Sequence, residues 1–341
     1  MTRQQLTELR WSPERAEKYI KDLGVIRGCN YVPAYCYSYI EMWQNYREET
    51  IKRELTYAKR IGINSLRIFM ATCQWQTRKE ETYANLDKFL TLASSMGFSI
   101  MMTLQPNRCV RPGSTPKLDN PFIIHFRPSV HDGGWDYENS YELQQDFSKW
   151  GELRDSVYNF VYETVSRYKD DSRIAIWDLY NEAAASCGEI VECVFEAGRN
   201  VNPQQPLTAC WQAWDLSDVG TFHCYMQPGK TTAYESGMVS GLTFQQEIDR
   251  MVEMGRPILC TEFLARPFGN ELANVLPIYA EKHIGWYLWG LCAGAAQYQF
   301  PWGWPEGSPE PKRWFHCLLY PDGTPFDATE IPLIQDFQYV D

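Results

Sequence analysis

Ile174–Ser186 reads IAIWDLYNEAAAS, an apolar run that stops at an amide and a carboxylate, Asn181-Glu182, before a string of small residues. A short continuous apolar run of this kind fits a strand buried on both faces, as parallel sheets require. Seven further stretches read the same way: VIRGCNYV (25–32), INSLRIFM (63–70), FSIMMTLQ (98–105), PLTACWQ (206–212), GTFHCYM (220–226), PILCTEF (257–263) and IGWYLWGL (284–291). Helical spacing fills most of the gaps between them. In EETIKRELTYAKRIG (48–62), Ile51, Leu55, Ala58 and Ile61 make one apolar stripe, and Val157, Phe160, Val161 and Val165 make another. Gly97 and Gly255 fall where helix C-cap glycines belong. The one short link is AWDLSDV (213–219), with room for little more than a helical turn.

Strand and helix alternating eight times, joined by right-handed crossovers, predict a single α/β domain over 1–341, a (β/α)8 TIM barrel. Residues 1–23 read as an N-terminal helical extension. The competing doubly wound dinucleotide fold fails because no strand leads into G-x-G-x-x-G, and none leads into a phosphate loop. A long irregular stretch from about Pro106 to Gln145 follows the third strand, on the barrel face that carries active sites.

Composition narrows the partner. A formal charge of −11 without Lys/Arg clusters argues against nucleic acid and anionic membranes. Thirteen Trp and twenty-one Tyr suit aromatic surfaces for a neutral ligand. The first residues have charges throughout and lack an apolar signal core, and no uninterrupted apolar stretch is long enough to cross a bilayer, so the expected location is the cytoplasm. Eleven cysteines scattered without C-x-x-C spacing are expected to be reduced and buried.

In a barrel the C-terminal ends of the strands hold the site. Strand by strand they offer Asn30, Arg67, Gln105, then Asn181 with Glu182, then Trp211 and Trp214, then His223 with Tyr225, then Glu262, and last Trp289. Two carboxylates thus converge from strands four and seven. Glycoside hydrolysis uses one protonated carboxylic acid for the leaving oxygen and one ionised carboxylate for an oxocarbenium-like transition state. An arginine and a tyrosine hydroxyl beside one glutamate would lower its pKa, and a drier, like-charged setting would raise that of the other. Indole rings offer a platform for a sugar face, and amides read hydroxyls. Asn-Glu alone is weak evidence, for it recurs at Asn270-Glu271 before a helical pattern. Five dispersed histidines without ligand spacing argue against zinc, and no G-x-S-x-G elbow is present.

The strand-end pattern resembles the retaining β-glycosidases of glycoside hydrolase clan A, the cellulase-like (β/α)8 barrels. WDLYNE is similar to the fourth-strand motif of that clan, which implies Glu182 as acid/base and Asn181 as a contact to the sugar 2-hydroxyl. LCTEF resembles the seventh-strand motif and implies Glu262 as nucleophile. LRIF, FHCY and WYLWGL place Arg67, His223 with Tyr225, and Trp289 as those barrels do. RGCNYVPAYCYSYIEMWQ and YPDGTPFDATEI are similar to a bacterial cellulase-like or xylanase-like group. Many cellulase relatives carry a histidine after the third strand, where this chain has LQPNRC with Gln105. The resemblance implies double displacement with retention, on a carbohydrate or small glycoside, with no metal or organic cofactor. A non-catalytic carbohydrate-binding barrel and a transglycosylase using the same residues are the alternatives.

Overall fold

The computed structural model describes residues 1–109, 127–131, 150–183, 187–211, 213–229 and 243–340, so most of the long stretch expected at about 106–145 lies outside the described residues. Two helices, α1 (Arg3–Glu8) and α2 (Pro13–Leu23), precede β1 (Arg27–Asn30). There follow α3 (Tyr39–Gln44), α4 (Glu48–Arg60), β2 (Ser65–Ala71), α5 (Thr72–Ser95), β3 (Ser99–Gln105), α6 (Trp150–Tyr168), β4 (Ile174–Asp178), α7 (Gly188–Val201) and β5 (Leu207–Thr208). The chain continues through β6 (Gly220–His223), α8 (Phe244–Val252), β7 (Ile258–Glu262), α9 (Leu272–Glu281), β8 (Gly285–Trp289) and α10 (Glu330–Gln335). Every predicted strand is present. The ladder runs β5-β4-β3-β2-β1-β8-β7-β6, parallel throughout, giving a (β/α)8 TIM barrel.

The one interruption of the ladder falls at the short link. β5 is two residues long, and residues 213–216 form turns rather than a crossover helix. There Asp218 N–H donates to Leu207 O (2.8 Å), Leu207 N–H donates to Asp218 Oδ2 (2.8 Å), and Thr208 Oγ1 donates to Val219 O (2.6 Å). Side chains thus complete a seam between β5 and β6 that backbone pairing closes elsewhere. Arg199 from α7 neutralises the buried Asp218 at 2.8 Å. Trp214, considered above at the end of strand five, serves this seam too, donating its indole N–H to Thr221 O (2.8 Å).

Alternation along the strands divides the core. Leu66, Ile68, Ile100, Met102, Trp177, Cys260 and Trp286 point outward into the apolar layer under the helices. Met101, Ile176, Val219, Leu259 and Tyr287 point inward and pack with Ile20 and Ile26. Gly28 has to be glycine, since a Cβ there would lie 2.2 Å from the Tyr287 ring. The N-terminal extension closes the lower end: Ser12 accepts from Arg15 N–H to cap α2, and Tyr19 and Leu23 pack on the inner cluster. Each buried aliphatic side chain here contributes about 2 kcal/mol. With that end sealed, polar inward-facing residues gather at the other. All eleven cysteines are buried free thiols, as expected.

Register sets the height of those residues. Asn30 lies opposite both Arg67 and Trp289, and Thr103 lies opposite Asp178. A register shift between Phe222 and His223 brings His223 opposite Glu262. Bulges of this kind re-aim a side chain beside a functional site.

Candidate active site

Arg67 is the hub. Fully buried in β2 opposite the last residue of β1, its guanidinium donates through Nη1 to Glu262 Oε1 (2.7 Å) and Asn30 Oδ1 (2.8 Å). Through Nη2 it donates to Asp178 Oδ2 (2.7 Å) and Asn181 Oδ1 (2.6 Å). Burial alone would lower its pKa, but Asp178 and Glu262 outweigh that and hold it above the ordinary arginine value. The charge is therefore fixed. Thr103 Oγ1 donates to Asp178 Oδ2 (3.1 Å), and Asn30 Nδ2 donates to Thr261 O (2.9 Å) and Leu288 O (3.1 Å). Strands β1, β2, β3, β4, β7 and β8 are thus tied together at one level.

Glu262 is buried at the end of β7 and receives a second donor, Tyr225 OH, on Oε2 at 2.8 Å. Burial keeps the Tyr225 phenol well above its ordinary pKa, with Glu262 pushing the same way, so it remains a donor. Burial also pushes the Glu262 carboxyl up, while His223, Arg67 and the Tyr225 hydrogen bond pull it down and Glu182 pushes it up. The net direction is up. This corrects the expectation that the glutamate beside Arg and Tyr sits low: the two donors act as argued, but desolvation is larger.

Glu182 reaches the same space from the turn after β4. Its Oε1 lies 2.8 Å from His223 Nδ1, which is also 3.3 Å from Glu262 Oε2. Burial lowers the His223 pKa to about 4, so the imidazole is neutral at neutral pH. The Glu182 side chain is 37% exposed against 6% for Glu262, so one carboxylate faces solvent and the other does not. Glu182 holds a left-handed backbone, φ 55°, with its N–H donating to Cys210 Sγ at 3.2 Å. Trp211 is left-handed as well, φ 61°, and bridges to Ala183. Left-handed conformations cost L residues about 1 kcal/mol or more and gather at functional sites.

Of the ten predicted site residues, hydrogen bonds join Asn30, Arg67, Asn181, Tyr225 and Glu262 into one set and Glu182 with His223 into another, and the 3.3 Å approach of His223 to Glu262 brings the two sets together. Trp211 joins by ring contact, its centroid 6.0 Å from that of His223. Trp289 packs on Phe69 (5.8 Å) and Tyr298 (5.4 Å). Both indole N–H groups are buried without a hydrogen-bond partner among the described residues. Gln105 ends β3 opposite Ala71, and no hydrogen bond joins its side chain to the cluster. Asn30 has both ends of its amide engaged by protein, which makes it a clamp on Arg67.

Three residues escaped the sequence reading. Asp178, inside the opening stretch itself, pairs with Arg67; a charge two places beyond the inward-facing Ile176 was the available signal. Glu54 sits among the buried residues of α4 and accepts from Tyr31 OH (2.9 Å) and Ala34 N–H (3.2 Å). Burial raises it to about 7. His316 donates through Nδ1 to Leu264 O, and its ring lies tilted against that of Tyr225, centroids 5.3 Å apart. It lies far along the chain from any strand end, so no local pattern marks it.

Glu182, His223 and Glu262 each present one metal-ligating atom within 4.8 Å of the others, the one such group of three among the described residues. Arg67 and Tyr225 already occupy the Glu262 oxygens, so the arrangement is better satisfied as a proton-sharing cluster than as a cation cage.

No family model matches the chain, and no curated protein matches it. Solved structures do. An exo-β-1,4-mannosidase from Opitutaceae bacterium strain TAV5 is 17% identical, with 92% of this chain and 59% of that one covered and a TM-score of 0.60. A family 5 mannosidase from Rhizomucor miehei, in complex with mannosyl-fructose, is 16% identical over 92% of both chains, with a TM-score of 0.52. An endo-1,4-β-D-mannanase from Thermotoga petrophila is 14% identical over 92% of this chain and 99% of that one, with a TM-score of 0.55. At these identities the likeness is one of fold, and the chain spans 59% of the length of the first.

Proposed function

We propose that the protein is a retaining β-glycoside hydrolase of the clan A type, with Glu262 as nucleophile and Glu182 as acid/base, acting on short oligosaccharides or small glycosides. The observation that carries this reading is the approach of two glutamates from β4 and β7, one oxygen of each within 4.8 Å of the other. Retaining enzymes hold their carboxyl groups about 5–5.5 Å apart, and inverting ones roughly 6.5–9.5 Å, to admit a water. The similar solved structures named as mannosidases and a mannanase support glycoside hydrolysis at the coarser level and put β-mannosides first among the sugars to test.

Each residue then has a task. Arg67 and Tyr225 aim the two Glu262 oxygens, so that one can attack the anomeric carbon without reorganisation. Glu182, nearer solvent, protonates the leaving oxygen and later takes a proton from the incoming water. His223 suits both states of Glu182. Its Nδ1–H donates to the carboxylate, and in the other tautomer Nδ1 accepts from the carboxylic acid, so the contact survives the proton transfer. Asn181, whose carbonyl is spent on Arg67, keeps its NH2 for a sugar hydroxyl.

The test is turnover of a panel of aryl β-glycosides (mannoside, glucoside, xyloside, galactoside and cellobioside) by the wild type and by Glu262→Ala. The variant is expected to lose at least about a thousandfold in kcat and to regain part of it with azide, releasing an α-glycosyl azide. Undiminished activity in the variant removes Glu262 from the mechanism. Sugar binding by the wild type without product release favours the non-catalytic barrel.

A further inference from the structure

We infer that Asp178 is a positioning residue for the nucleophile, acting through Arg67: it takes up part of the guanidinium and so limits the hold of that charge on Glu262. The inference rests on the glycosidase reading above and deepens it by naming what keeps a buried nucleophile reactive. An arginine side chain carries five N–H bonds in a planar fork. Those of Arg67 are all engaged. Nε donates to Asp178 Oδ2 (3.2 Å), Nη2 to Asp178 Oδ2 (2.7 Å) and Asn181 Oδ1 (2.6 Å), and Nη1 to Glu262 Oε1 (2.7 Å) and Asn30 Oδ1 (2.8 Å). No N–H remains for a sugar, so Arg67 acts on the reaction through its partners. Asp178 receives two of the five and Glu262 one.

The division matters because the site is dry. Arg67, Asp178 and Glu262 are all buried, where charges act on one another with little screening. A cation paired with Glu262 alone would hold the carboxylate in its charged form and weaken it as a nucleophile. With Asp178 on the same guanidinium, arginine and aspartate together are neutral, and Glu262 keeps a donor that orients it while losing much of the charge that would quiet it. The other groups facing Glu262 are Tyr225 from the segment after β6, His223 from β6 and Glu182 from the turn after β4. Tyr225 remains a phenol and His223 is neutral at neutral pH, so neither supplies a cation in place of Arg67.

The way Asp178 is held fits an electrostatic task. Oδ2 accepts both Arg67 bonds and a third from Thr103 Oγ1 (3.1 Å), whereas Oδ1 is buried without a hydrogen-bond partner among the described residues. A carboxylate kept only to tie strands together is expected to satisfy both oxygens, because an unpaired buried one is costly. Here half of the group is left bare, so its negative charge is little spread by donors. That charge is felt around it: it pushes the Cys210 thiol pKa up and opposes the burial that lowers His223. Asp178 ends β4 opposite Thr103, so the strand that leads to Glu182 also carries the group that moderates Glu262.

The test is the pH profile of kcat/KM on the best aryl β-glycoside of the panel, for wild type, Asp178→Asn and Thr103→Val. Asparagine keeps the shape and an oxygen for Arg67 and removes the charge; valine removes a hydrogen bond to Asp178 and leaves the charge. In Asp178→Asn the full charge of Arg67 falls on Glu262, so the acid limb is expected to move down by about one pH unit. The plateau of kcat/KM should fall about tenfold with it, since a less basic carboxylate is a weaker nucleophile. Thr103→Val should leave the limb in place. A limb that stays put or moves up in Asp178→Asn overturns the inference whatever the plateau does, as does an equal shift in Thr103→Val. Should Asp178→Asn not fold, Asp178→Ser is read in its place with the same expected shift. If the wild type cleaves nothing on the panel, the hydrolase reading fails, and the ¹³C titration of the Glu262 side-chain carboxyl by NMR decides the inference alone. A lower midpoint in the neutral variant upholds it, and an equal or higher one removes it.

Discussion

The chain contains Asn-Glu twice, and the two copies live in opposite circumstances. At Asn181-Glu182 the amide oxygen meets a buried guanidinium and the carboxylate meets a neutral imidazole. At Asn270-Glu271 the amide is wholly consumed by backbone: it accepts from Leu264 N–H (2.7 Å) and donates to Cys224 O (3.1 Å) and Met226 O (2.7 Å). Glu271 sits at the start of α9, where the helix dipole favours an anion, and pairs with the exposed Arg313. A dipeptide carries no chemistry by itself. The second copy latches the turns after β6 and β7, and so holds in place the strand ends that bear Tyr225 and Glu262.

The largest expected contrast is between the two glutamates. Glu182→Gln should lower kcat for a glycoside with a poor leaving group by about 10²–10⁴, whereas Glu271→Gln should leave kcat unchanged and cost about 0.5 kcal/mol in denaturant unfolding. Comparable kinetic losses from both would break the comparison. The asparagines should invert this order for stability. Asn270→Ala strands three buried backbone groups and should destabilise by about 3 kcal/mol, read as a drop in Tm, and Asn181→Ala should cost less stability and more kcat/KM. A smaller, sharper effect concerns pH. Because Glu262 is shifted up, the acid limb of kcat/KM should lie above the ordinary glutamate pKa, with activity lost as pH falls through it. Tyr225→Phe removes a contact that favours the carboxylate, so the limb should move higher still. A limb that stays put or moves down would mean that the hydroxyl does not govern Glu262.

Much of this was legible in the sequence because the barrel repeats one rule. Apolar runs mark the strands, and whatever polar residue ends a run lies on the site's face. That rule found Arg67, Glu182, His223, Tyr225 and Glu262. It missed Asp178, the last residue of β4, since the apolar run reads on through Leu179 and Tyr180 to Asn181. It also missed Glu54, which replaces an apolar residue on the buried side of an otherwise regular amphipathic helix. His316 depends on how a long connection folds back over the barrel, and no periodicity encodes that. The pKa of Glu262 was misjudged for a related reason: its partners are visible in sequence, but the depth of its burial is not.

The seam between β5 and β6 gives the barrel a mechanical grain. Elsewhere backbone pairing resists radial stretching, but there the load passes through a carboxylate, a few hydroxyls and one amide. Breathing should therefore begin at that joint, and native-state hydrogen exchange should find the Asp218 amide opening well before the amides of β2; equal protection of the two would show a uniformly rigid wall. Trp211 stands at the end of the compliant stave and Arg67 amid the rigid ones. A ligand of awkward width would thus be accommodated by displacement beside Trp211, while the contacts Arg67 makes with Glu262 keep their shape.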